Sequence, residues 1–145
     1  MNLIWGGVLT VFTLILCWLG QVINATSPTL AARMGLAEPE EDVDPVLFVD
    51  GQGEAVWDAL ILWTLPAAGI LLMVGSQWWI PLGLIGGGMY VYFSGCALFV
   101  RSAMRRRSIR IGKPESRKLY TIVLVLWGLI GAITIAMATT AIDLI

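Results

Sequence analysis

The reactive side chains of this sequence fall into two blocks of opposite charge. Between Asn24 and Asp58 stand Glu38, Glu40, Glu41, Asp42, Asp44, Asp50, Glu54 and Asp58, opposed only by Arg33. Carboxylates at this density can hold a hard cation. A calcium loop needs its oxygens at alternate positions around a tight turn, and Asp42, Asp44 and Asp50 do not keep that spacing. Glu54 and Asp58 are four residues apart. That puts them on one face in the first turns of a helix, where the helix dipole favours negative charge. Between positions 101 and 119 the sign reverses: Arg101, Arg105, Arg106, Arg107, Arg110, Lys113, Arg117 and Lys118 are opposed only by Glu115. The run RRRSIR has the composition of a nucleic-acid patch, but no aromatic residue is interleaved to stack on bases. Anionic lipid headgroups are the better match, and no nucleic-acid partner is expected.

Other chemistry is excluded by residue type. The chain has no histidine, which removes the usual general base and the commonest metal and haem ligand. Cys17 and Cys96 sit singly in apolar runs. Without a CxxC pair, neither a thiol redox couple nor a zinc knuckle is expected. The sequence therefore points to no catalytic residue, no metal and no cofactor, and it leans against an enzyme. Asp50-Gly51 followed by Glu54 and Asp58 is similar to the metal-binding segment of lipid-headgroup transferases, but the Ala-Arg pair and second acidic helix of those enzymes are absent.

The elements that carry these blocks are membrane helices. Hydrophobic residues make up 58% of the 145-residue chain and charged ones 13%, against about 45–50% and about 25% in soluble domains. Four charge-free runs stand out, Leu3 to Ile23, Ala59 to Gly75, Ile80 to Val100 and Tyr120 to Ile142. Each is long enough to cross a bilayer, and an isolated run of this kind satisfies its backbone in lipid only as a helix. The expected fold is an all-α integral membrane protein, a four-transmembrane-helix bundle forming one domain, with spans over 3–23, 57–75, 79–100 and 120–142. The first run lacks a basic leader and is read as a retained helix, not a signal peptide.

Charge then orients the bundle. Lys and Arg flanking the spans stay in the cytoplasm, so the basic hairpin 101–119 is expected there. With four spans the acidic loop 24–56 lies on the same side, and both termini face outward. Net charges of −7 over residues 24–58 and +7 over residues 101–119 on one membrane face should attract. Glu54 or Asp58 is expected within salt-bridge reach of Arg101, Arg105 or Arg106.

Local signals fill in the rest. Ser27-Pro28 opens a short helix that Gly35 stops. Asp50-Gly51 reads as a turn, with the second helix starting near Gly53. The third helix should run out of the membrane to Ile111, where Gly112 ends it, and Pro114 starts the fourth. Pro66 lies mid-span, removes the bond to the Leu62 carbonyl and should kink its helix. No ionisable residue lies inside the four apolar runs, which argues against a proton-coupled transporter. Small residues recur at helical spacing. Gly83 and Gly87 form one pair, and Gly128, Ala132 and Ala136 form a stripe expected to be buried against helix one or three.

This layout resembles that of small bacterial inner-membrane proteins. The expected role is an accessory or scaffolding protein that packs against another membrane protein or against a second copy. The alternatives are an oligomeric transporter or channel for small solutes or lipids, and an enzyme acting on lipid headgroups at the cytoplasmic rim.

Overall fold

A computed structural model describes residues 2–142. Its helices are α1 (Asn2–Thr26), α2 (Pro28–Arg33), α3 (Pro45–Ile61), α4 (Thr64–Met73), α5 (Trp79–Arg106) and α6 (Pro114–Ile142). Helices α3 and α4 are two halves of one span. Counted that way, four helices are long and apolar enough to cross a membrane, and they contain 25 to 29 residues each. At about 1.5 Å per residue they reach about 37–44 Å, more than a hydrocarbon core of about 30 Å. Their ends therefore project, and the charged blocks lie on these ends and in the connections between them. The protein is an all-α four-helix membrane bundle, and no β-strand occurs among the described residues.

Two boundaries differ from the sequence reading. The second span begins at Pro45 rather than near Gly53, because Asp44 caps it by accepting from the Val46 N–H at 3.0 Å and Pro45 takes the first helical position. Gly51 and Gly53 cost only about 1 kcal/mol each in a helix, so the Asp50-Gly51 turn signal loses to the cap. The third helix stops at Arg106, five residues early. Ser108 enters the left-handed region at φ 57°, and Ile109 donates its N–H to the Met104 carbonyl at 3.1 Å, closing the helix end. What overrides helix propensity there is burial of Ile111, which is only 3% exposed.

Close crossings between helices are made by glycine. A methyl placed on Gly69 of α4 would stand 2.9 Å from the Gly6 carbonyl of α1. One placed on Gly131 of α6 would stand 2.7 Å from the Gly87 carbonyl of α5. Between α4 and α5, a methyl on Gly86 would meet Leu65 Cγ at 2.9 Å. Backbones this close gain dispersion contacts that lipid tails cannot supply. Around these crossings Leu9, Cys17, Leu62, Leu65, Tyr90 and Trp127 form the main core. Trp127 is bracketed by Tyr90 and Phe93, with ring centroids 5.4 and 5.2 Å away.

Two stretches of backbone are irregular. α1 widens into a π-helix over Phe12–Trp18. The second span breaks at Leu62 and Trp63, upstream of Pro66. Pro66 has no N–H to give the Leu62 carbonyl, and the Tyr90 hydroxyl approaches that carbonyl at 3.5 Å instead.

Candidate functional site

The two charged connections do meet, though through residues other than those expected. Val43 and Ile111 pair as an isolated antiparallel bridge, and both side chains are buried. Asp44 donates its N–H to the Arg110 carbonyl at 2.9 Å, and the Arg110 guanidinium donates to the Glu41 carbonyl at 3.1 Å. Lys113 and Asp42 form an ion pair at 2.9 Å. That pair raises the Lys113 ammonium above its usual range, first through the hydrogen bond and then through the Asp42 charge. Glu38 sits against Gly112. Burial pushes its carboxyl up, while the Arg101 charge pulls it back.

The expected contacts are corrected accordingly. No ion pair joins Glu54 or Asp58 to Arg101, Arg105 or Arg106 among the described residues. Arg101 stacks on the Tyr120 ring instead, 5.2 Å from its centroid. Arg105 and Arg106 are exposed. The physical reason lies in the helix start at Pro45. It carries Glu54 and Asp58 about two and a half and three and a half turns down α3, leaving Glu38, Glu41 and Asp42 to face the basic hairpin. A cleft of about 520 Å³ opens beside this latch, and Arg105, Arg110, Lys113 and Arg117 are among its lining residues.

Asp58 is placed where the sequence reading did not put it. It is 4% exposed, and its Oδ2 has no hydrogen-bond partner. Glu54, one turn nearer the connections, is exposed. Across from α3 stand Cys17 of α1 and Tyr90 of α5, and Thr13 of α1 adjoins the Tyr90 hydroxyl. The Trp18 indole donates to the Ala59 carbonyl at 2.8 Å, tying α1 to α3 beside this cluster. The sequence signal was an acid one residue outside an apolar run, which reads equally well as an interfacial group.

The small residues divide into an inner and an outer set. Gly83 and Gly87 lie in the seam between α5 and α6, with Thr134 and Ile135 over them. Gly128 is half-buried beside Ser94, but Ala132 and Ala136 are exposed. Their expected burial within the chain is corrected: the seam passes through Leu124, Trp127, Gly131, Thr134 and Ala138. Gly131 decides the register, because only a residue without Cβ fits against the Gly87 carbonyl. Ala132 is turned about 100° away by the helix. Gly88 on α5 is also open, with nothing within 4 Å of where its side chain would be. Comparison with protein-family models, curated proteins and solved structures finds no match to this chain.

Proposed function

We propose that this chain is an accessory or scaffolding protein of a bacterial cytoplasmic membrane, docking through the outer face of α6 against a second copy or another membrane protein. The observation that carries this reading is the exposure of Ala132 and Ala136 while the intramolecular seam runs one residue away. Lipid gains nothing from a flat small-residue surface, whereas a facing helix gains close contact there. The leucines, valines and isoleucines around it, among them Val125, Leu129 and Ile133, supply the apolar margin.

The positive-inside rule, applied to the basic hairpin, supports a cytoplasmic position for the connection-bearing face. In that orientation the cleft lined by Arg105, Arg110, Lys113 and Arg117 faces anionic headgroups of the inner leaflet, which attract clustered cations. Energy transfer between donor- and acceptor-labelled copies in proteoliposomes tests self-docking. It should fall on Ala132→Leu or Ala136→Leu and persist on Gly7→Leu, since Gly7 also has nothing within 4 Å but lies on α1. Transfer that responds equally to all three substitutions would place the contact elsewhere.

A further inference from the structure

A carboxyl group inside a membrane bundle needs a partner, and Asp58 lacks one. It is 4% exposed, with Oδ2 enclosed and unbonded. An ionised carboxylate buried without a donor or a counter-charge is among the costliest groups a protein can enclose. The groups facing it offer no positive charge. α1 presents the Cys17 thiol, α5 presents the Tyr90 hydroxyl, and α3 itself presents the acid Glu54 one turn toward the surface. A proton on Oδ2 removes the charge and converts the orphan acceptor into a donor.

The position is also one that water can reach by a short path. Asp58 lies 15 residues from Met73, where its span ends, about 22 Å along a helix and so in the outer third of a core of about 30 Å. Glu54 is exposed on the same face of α3, with its Cβ about 5–6 Å nearer that edge. The backbone on both sides is irregular. The π-helical stretch of α1 contains Thr13 and Cys17, and the break at Leu62 and Trp63 follows Asp58 by one turn. Departures of this kind inside membrane helices cluster at functional positions.

We propose that the Asp58 carboxyl is a proton-binding site of the bundle interior, loaded from the connection-bearing face by way of Glu54. Unlike the docking face of α6, this site needs no partner protein. Ionisable groups held inside membrane bundles commonly mark proton relays, and a single buried carboxyl next to a broken helix gives this bundle a group whose charge state its packing can sense.

The full chain in proteoliposomes provides the test. Dicyclohexylcarbodiimide is apolar and enters the bilayer; a protonated carboxyl gives its proton to a carbodiimide nitrogen and adds its oxygen to the central carbon, and the O-acylisourea formed rearranges to a stable N-acylurea. Peptide mass spectrometry should find the adduct on Asp58, with a yield that falls about tenfold per pH unit above the titration point of the group. Asp58→Asn should abolish it and Asp58→Glu should restore it. Infrared spectra should carry a protonated-carboxyl band that is absent from Asp58→Asn, and after a pH jump Glu54→Gln should slow the return of that band. A parent chain that stays helical but shows neither adduct nor band at about pH 6 overturns the proposal. Protection of Asp58 by Na⁺ or Li⁺ at fixed pH also overturns it and assigns the position to a metal cation.

Discussion

Replacing Gly131 by alanine probes the tightest backbone crossing between α5 and α6. The added methyl would lie 2.7 Å from the Gly87 carbonyl oxygen and 3.1 Å from both Tyr90 Cβ and Val91 Cγ2. Ordinary contact begins at 3.4 Å, so the helices must part by about 0.7 Å or tilt. The clashing oxygen belongs to backbone and has no rotamer to change. Parting the helices also loosens the stacking of Tyr90 and Phe93 on Trp127. Overpacking of this kind costs about 1–3 kcal/mol. The matched control is Gly88→Ala, one residue from Gly87 but open to the exterior. That change should be neutral or stabilising by up to about 1 kcal/mol through helix propensity. Thermal unfolding in mild detergent, followed by tryptophan fluorescence, reads both. If Gly131→Ala melts with the parent or with Gly88→Ala, the α5–α6 register described here is wrong.

Four further outcomes are expected. In cells, cysteines introduced near residues 48 and 108 should resist an impermeant thiol reagent while one near Gln77 is labelled; labelling at 108 would reverse the topology. Ile111→Ala should free the latch, seen as faster hydrogen exchange of the Asp44 N–H that donates to Arg110, with little change in the membrane core. Glu38 has a folded pKa raised above its unfolded value, so its contribution to stability is lost as pH rises from about 4.5 through the folded value; Glu38→Gln should flatten that part of the melting-versus-pH curve. Tyr90→Phe leaves the Leu62 carbonyl without its 3.5 Å contact and should cost about 0.5–1.5 kcal/mol, less when Pro66→Ala restores the helical N–H, a coupling that a double-mutant cycle measures.

The membrane class and the four spans were legible because length and uniform hydropathy specify a transmembrane helix almost without context. Helix ends were less so. Asp44-Pro45 and Asp50-Gly51 are both strong local signals with opposite meanings, and the energy of a cap against that of two tolerated glycines decides between them. The ion-pair partners moved with that boundary, since a shift of one helix start carries every later carboxylate to a new height. At the small-residue stripe the difficulty is angular. Gly131 and Ala132 are neighbours in sequence, and only the position of the Gly87 carbonyl selects which of them faces inward. Asp58 shows the remaining gap, because a charge at the edge of an apolar run can snorkel or be enclosed, and the choice belongs to α1 and α5 rather than to α3.

The proposed docking role rests on what covers α6, and site-specific photo-crosslinking in native membranes addresses it most directly. A photoreactive residue at position 132 should form a protein adduct, with a second copy of the chain or with one defined membrane protein, while the same residue at the exposed position 8 should react with lipid. Lipid adducts alone at both positions would contradict the account, because they would show that the small-residue face of α6 meets nothing but the bilayer.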